Sequence, residues 1–217
     1  MQNRTIKFTP KNIAFYLGGF FVVSLGVVFM LRGNLGAGAW DTVTYNLRAF
    51  LQSRGSGITL GLTSMTITLT LFVIVMAYQR KWQLVFMLIP IGIMGSFIDF
   101  WDIIVFGSYI PTTFLIQLLF SVIGGVFIPL GLALIISSHF PAFVFDELTI
   151  AVMKLFRTKN LTVVRLGIEF TGISLGILFG FLAGIGFGAV NVGSIIMAII
   201  LPPMLHFFVK KLGSFDE

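Results

Sequence analysis

Leu35-Gly36-Ala37-Gly38-Ala39-Trp40-Asp41 and, much later in the chain, Phe140-Pro141-Ala142-Phe143-Val144-Phe145-Asp146 are two versions of one pattern. In each, a small-residue or proline-containing stretch leads to an aromatic residue and a carboxylate. An amphipathic run closed by basic residues follows. Aligned on the aspartates, Trp40 falls on Phe145, and Leu47, Phe50 and Leu51 fall on Val152, Leu155 and Phe156. Further on, Asp99-Phe100-Trp101 falls opposite His206-Phe207-Phe208. This is an extended internal repeat, and a repeat constrains a fold more than any single motif does.

What surrounds the two patterns is almost wholly apolar. The 217 residues are 57% hydrophobic and only 10% charged, with a mean hydropathy of +1.04, which describes a chain dissolved in lipid. A helix needs about 20 apolar residues to cross about 30 Å of hydrocarbon. Six runs qualify: Asn12–Leu31, Ile58–Tyr78, Gln83–Phe106, Thr113–Ser137, Leu161–Ala183 and Phe187–Val209. The first is followed by Arg32 rather than a small-residue cleavage site, so it reads as a retained span and not as a signal peptide.

The expected fold is therefore an all-α polytopic membrane protein, one membrane domain over residues 1–217 with six transmembrane helices and two short ones. The short helices, Thr42–Ser53 and Glu147–Thr158, would each be about 18 Å long, roughly half a bilayer. Either a re-entrant position or a flat interfacial one suits them. Each repeat unit, residues 12–106 and 113–209, reads span, short helix, span, span. Three crossings per unit would point the two copies in opposite directions, the inverted repeat on which many secondary transporters are built.

Basic residues orient the spans. Arg4, Lys7 and Lys11 precede the first, Arg80 and Lys81 separate the second and third, Lys154, Arg157 and Lys159 separate the fourth and fifth, and Lys210 and Lys211 follow the last. All four clusters share one side if both termini are cytoplasmic. Arg48 and Arg54 fall on the wrong side of this scheme.

Six of the eight acidic residues lie inside or beside apolar runs. A carboxylate at membrane depth costs roughly 2.5–3.5 kcal/mol on insertion scales, so such placement implies pairing, a wet cavity or work on a solute. Asp41 and Asp146 stand where helix N-caps are expected, and a cap is worth about 1 kcal/mol whether or not a solute ever touches it. Arg165 and Glu169, four apart, share a helix face near mid-bilayer and read as an ion pair, a gate or a proton relay. Asp41, Asp146, Arg165 and Glu169 are the expected lining of a substrate or proton pathway, with Trp40, Asp99, Glu147 and Asn191 as secondary candidates. Asp99 and Asp102 also suit an interfacial role in the aromatic belt, and Asn191 suits helix–helix bonding. The stripe Gly172-x-x-x-Gly176-x-x-x-Gly180 reads as a close-packing face.

Several chemistries find no footing. Cysteine is absent and His139 and His206 form no ligand spacing, so no metal site is expected. The formal charge of +6 resides beside apolar runs as topology signals, which argues against nucleic acid. Gly184-x-Gly186-x-Gly188 lacks the strand and helix of a nucleotide loop, and no nucleophile–base pair is recognisable, so neither cofactor nor enzymatic activity is expected.

Asn34-Leu35-Gly36-Ala37-Gly38-Ala39-Trp40-Asp41-Thr42, the later Gly57-Ile58-Thr59-Leu60-Gly61 and Gly95-Ser96-Phe97-Ile98-Asp99, and Arg165-Leu166-Gly167-Ile168-Glu169 followed by Gly184-Ile185-Gly186 resemble the YczE/YyaS/YitT-type integral membrane proteins of bacteria. The resemblance runs from about Ile13 to Phe208. It implies a multi-pass protein of the bacterial plasma (inner) membrane with a suspected transport role, and it supplies no binding residues to carry over.

The leading expectation is transport of a small organic solute, with proton coupling as an option. The alternative is a non-transporting membrane factor supporting a biosynthetic or secretion complex. Expected partners are the lipid bilayer and that unnamed small-molecule solute, with self-association into a homo-oligomer left open. A reporter fused after Glu217 should be active only on the cytoplasmic side, and activity in the periplasm would overturn both the span count and the orientation of the repeat.

Overall fold

A computed structural model of the chain describes residues 9–138, 140 and 143–212, with only the backbone of Gln83 and Asp146. Among these residues the secondary structure is helical throughout. The elements are α1 (Pro10–Gly33), α2 (Ala39–Ser53), α3 (Leu60–Gln79), α4 (Leu88–Asp99), α5 (Phe114–Ser137), α6 (Val144–Leu155), α7 (Leu161–Leu182) and α8 (Val192–Lys211). A 3-10 turn, Trp82–Met87, leads into α4, and a π-helical turn, Phe100–Val105, continues it. Six stretches are long and apolar enough to cross a membrane: α1, α3, the composite Leu84–Val105, α5, α7 and α8. The chain is an all-α polytopic membrane protein with two additional short helices.

The centre of the bundle is the contact between α1 and α5. Both are apolar on all sides, so amphipathic patterning cannot orient them, and small residues decide where their backbones meet. A Cβ added to Gly19 would lie 2.8 Å from the Gly131 carbonyl oxygen, and one on Gly131 would lie 2.7 Å from that of Gly19. Gly26 and Gly124 meet in the same way, at 3.1 and 2.6 Å. Numbers rise on one helix as they fall on the other, so the pair is antiparallel. The alignment that matches Asp41 to Asp146 also matches Gly19 to Gly124 and Gly26 to Gly131. Each glycine therefore touches the partner of the other. Around this spine Tyr16, Phe20, Val28, Ile128 and Ile135 form the main apolar core.

The short helices begin three residues earlier than the sequence pattern predicts, at Ala39 and Val144 rather than at Thr42 and Glu147. The caps are Gly38 and Phe143, both in extended backbone, so Asp41 and Asp146 each occupy the third helical position and are not the caps. Packing explains the early start of α2. Ala39 and Trp40 lie over Gly172, Thr42 over Gly176 and Asn46 over Gly180, a seat that rewards helix well before the first polar residue.

This register also settles how α2 lies. It runs parallel to α7 and starts at Gly172, about 17 Å along that helix at 1.5 Å per residue, close to its midpoint. It is a half-helix inside the bundle, not a helix lying flat across its end. The other short helix behaves alike. Val144 shares an apolar cluster with Phe72 and Val75 of α3, and Gln79 Nε2, in the last residue of α3, donates to Glu147 Oε2 at 3.0 Å. So α6 starts well inside α3 and runs beside it in the same sense.

The last span begins at Val192, five residues later than expected. Gly184, Gly186 and Gly188 hold φ of +75°, +65° and +56°, left-handed values that turn the chain instead of continuing a helix. The proline pair Pro202 and Pro203 lies within α8 without ending it.

The glycine contacts make a selective prediction. Gly26→Ala should destabilise the protein by about 1–3 kcal/mol through overpacking, because the new methyl would meet Ile128 N and Cγ1 at 2.9 Å. Gly18→Ala, with nothing within 4 Å, should be neutral. Thermal unfolding of the two purified variants in one detergent checks the contrast.

Candidate functional site

The first turn of α2 brings several of the expected site residues into the middle of the bundle. Gly38 caps the helix without a side chain, and the Asp41 carboxylate folds back toward it, so that a Cβ on Gly38 would lie 2.6 Å from Asp41 Oδ2. Glycine at this position is what leaves room for the carboxylate. The charged residue nearest in effect is Glu169 of α7, which acts on Asp41 by like-charge repulsion. Arg165 Nε stands 3.5 Å from Glu169 Oε1, one helical turn away on the same face. Trp40 packs on Gly172, and its ring lies 5.0 Å from that of Phe145, its counterpart in the repeat. The Trp40 indole N–H is buried without an acceptor among the described residues. The starts of the two short helices thus meet through one aromatic pair. Asp146 belongs to the first turn of α6, and its side chain lies outside the described residues, as do His139 and the acidic C-terminal Asp216 and Glu217.

The combination is one of opposed demands. A helix N-terminus carries roughly half a positive charge and favours an anion, and Asp41 already supplies one. With Glu169 near enough to repel it, and the Arg165 guanidinium paired with Glu169, the region has two carboxylates for one cation. It can accept a proton, a cation or the ammonium end of a zwitterion more readily than a further anion.

The secondary candidates disperse. Asp99 accepts from Thr59 Oγ1 and from the Gly61 N–H, both at 2.6 Å, and so satisfies the first turn of α3. Asn191 caps α8, forms a reciprocal capping box with Ser194, and through Nδ2 donates to the carbonyl of Asn34, the C-cap of α1, at 3.4 Å; as expected of helix–helix bonding, it joins the ends of two spanning helices. Glu147 is buried against Gln79 at the far end of α3. His206 is exposed on α8. None of these three polar residues, Asp99, Asn191 and Glu147, joins Asp41.

Sequence reasoning missed two polar assemblies. Asn46 is fully buried and donates through Nδ2 to the carbonyls of Gly176 at 2.8 Å and Phe187 at 3.0 Å, while its Oδ1 accepts from the Ala189 N–H at 3.0 Å. One amide therefore ties α2 to α7 and fixes the glycine-rich turn that delays α8. The second assembly gives Asp102 two arginine partners that the expected interfacial role did not include. Asp102 is 6% exposed and accepts from Arg32 Nη2 at 2.6 Å and from Arg48 Nη1 at 3.1 Å. A partner this far along the chain leaves no trace in local pattern. The only signal was that Arg48 sat on the wrong side of the charge distribution.

The class defined by this fold and site is a multi-pass α-helical membrane protein with a carboxylate-bearing half-helix in its core. Within that class, the chain belongs to a family of unknown function, DUF6198, whose pattern matches residues 10–210. It is similar to two proteins of Bacillus subtilis (strain 168). The uncharacterized protein YyaS is 26% identical over 194 residues, which cover 89% of this chain and 90% of that protein. The uncharacterized membrane protein YczE is 28% identical over 197 residues, covering 89% and 83% respectively. No solved structure matches.

Asn46→Leu keeps the branched shape at this position but strips three backbone groups of their partner. At about 1–3 kcal/mol for each buried group left unpaired, the variant should lose several kcal/mol of stability. Its melting point in detergent should fall well below that of the native protein.

Proposed function

We propose that the chain is a secondary transporter of a small organic solute, built as an inverted repeat, with proton exchange at the carboxyls of Asp41 and Glu169. The observation that carries this reading is that α2 begins midway along a spanning helix with Asp41 in its first turn. A carboxyl at that depth is expensive to keep, and non-helical backbone such as residues 34–38 is tolerated there only where protein or water surrounds it. Interrupted helices near the midplane, at the junction of two repeats, are where secondary transporters bind solute and coupling ion.

Three arrangements support the inverted repeat. The glycines of α1 and α5 touch each other's counterparts in antiparallel register. Trp40 touches its own counterpart, Phe145, as residues near a two-fold axis do. And α2 packs on α7 as α6 packs on α3, each short helix seated on the other unit. In this reading both termini are cytoplasmic and the protein resides in the bacterial inner membrane. Asp41 and Glu169 take up and release the proton, Arg165 balances them, and Trp40 and Phe145 form the apolar wall against which the solute lies. Asp146, placed like Asp41 in the first turn of its helix, serves the other unit.

Asp41→Asn tests the reading, because it preserves shape while removing the charge and the transferable proton. Proteoliposomes loaded with a bacterial small-molecule extract should lose a specific solute through the native protein, faster with a pH gradient imposed. The variant should insert and melt like the native chain yet release that solute at least tenfold more slowly. Full activity in Asp41→Asn would remove Asp41 from the pathway. Absence of any flux, with a protein partner that copurifies stably, would favour the membrane-factor alternative.

A further inference from the structure

We propose that the pocket enclosed by α1, α2 and the π-helical turn is an anion-recognition site, in which Arg48 binds one oxyacid group, a carboxylate or a phosphate, by exchanging it for Asp102. The cavity measures about 490 Å³, and its walls include Arg32, Tyr45, Arg48, Gln52, Asp102 and Gln117. That size suits a small solute or a headgroup, since small-molecule sites run from about 300 to 1,000 Å³. It opens at the end of the bundle that holds Gly107 and Pro111, away from the first turn of α2.

The charges do not balance. Two guanidinium groups face one carboxylate, leaving a single positive charge in a largely apolar protein. The two arginines are also not equivalent. Arg32 is fully engaged: Nε and Nη2 donate to Asp102 Oδ1 at 3.1 and 2.6 Å, Nη2 also reaches the carbonyls of Asp102 at 2.7 Å and Gly107 at 2.8 Å, and Nη1 donates to the Tyr109 carbonyl. It holds the π-turn and the following loop in place. Among the described residues Arg48 makes one hydrogen bond, from Nη1 to Asp102 Oδ2 at 3.1 Å, and its buried Nε has no acceptor. A guanidinium offers a planar fork made for two parallel bonds to an oxyacid, and at Arg48 that fork is half used.

The backbone at Asp102 fits the same role. Its π-helical turn is a geometry that recurs at functional sites, and it delivers the carboxylate to both arginines at once. An incoming anion that pairs with Arg48 leaves Asp102 on Arg32, which already carries it through two nitrogens. The exchange therefore strands no charge. It also frees α2 from α4, because Asp102 is the ion-pair link between Arg48 and the π-turn. The inference concerns equilibrium binding and stands apart from the transport reading, so either can fail alone.

The anion could come from solution or from a lipid headgroup, and the experiment separates the two. The full chain in phosphatidylcholine nanodiscs is titrated with radiolabelled acetate and with radiolabelled inorganic phosphate. In parallel, native mass spectrometry follows phosphatidylglycerol retained from mixed nanodiscs. Saturable binding of either free anion, weakened at least tenfold in Arg48→Gln and less in Arg48→Lys, is the expected result and assigns a soluble source. Phosphatidylglycerol retained by the native chain and lost in Arg48→Gln, without free-anion binding, supports the site with lipid as its source. Asp102→Asn removes the competing carboxylate and should tighten binding several-fold. If Arg48→Gln fails to fold, the opposite effects of Arg48→Lys and Asp102→Asn decide the matter. Binding that ignores both substitutions, or no anion binding together with equal lipid retention, would overturn the proposal.

Discussion

Everything in this protein hangs on the backbone-to-backbone approach of α1 and α5. In hydrocarbon there is no hydrophobic gain in moving an apolar side chain from lipid to protein, so two helices associate only as closely as their surfaces allow. Glycines at two levels on each helix remove the surface altogether. Gly19 against Gly131 and Gly26 against Gly124 bring carbonyls to where side chains would otherwise stand. The antiparallel sense of this contact then dictates which ends of the remaining helices are neighbours. The loops after α1 and α5 emerge at opposite ends of the bundle, and the two short helices enter from those opposite ends and meet at Trp40 and Phe145.

The polar residues divide into three chemically distinct groups. Asp41, Glu169 and Arg165 form an acid-rich region between the first turn of α2 and α7, with Arg165 on the exposed side. Arg32, Arg48 and Asp102 form a base-rich one near the end that holds Gly107. Asn46 satisfies three backbone groups, and Asp99 satisfies the Gly61 N–H and the Thr59 hydroxyl, both structural roles. Residue type alone does not separate these roles: Asp41, Asp99 and Asp102 are all aspartates next to apolar helices. What separates them is what each carboxylate accepts, which is a helix N-terminus for Asp99 and two guanidinium groups for Asp102.

How legible each feature was follows from the range of the interaction behind it. Span length depends on local composition, so six crossings were readable from the chain, and their ends moved by only a few residues. The spacing Gly172, Gly176, Gly180 announced a packing face but not its occupant, since nothing in α7 names α2. Whether α2 lay flat or entered the bundle was undecidable from its amphipathic pattern, which suits an interface as well as a half-buried groove. Asn46 looked like an ordinary polar residue of that pattern, because its three partners lie on a helix and a turn more than a hundred residues away. Of the pathway residues inferred from sequence, Glu169 and Arg165 were readable as a pair by helical spacing. The approach of Asp41 depends on the packing of α2 against α7.

The exchanged seating of the short helices has a consequence for biogenesis. As the chain leaves the ribosome, α2 is complete long before α7, yet the groove that receives Ala39, Thr42 and Asn46 belongs to α7 and its following turn. Until that groove exists, the first turn of α2 and its carboxylate have no seat in the membrane. That seat is complete only once the chain has been made as far as Ala189. α6 faces no such delay, because α3 is already in place when it is synthesised. The two short helices are therefore seated in a different order in time, α6 on a helix made before it and α2 on one made after it.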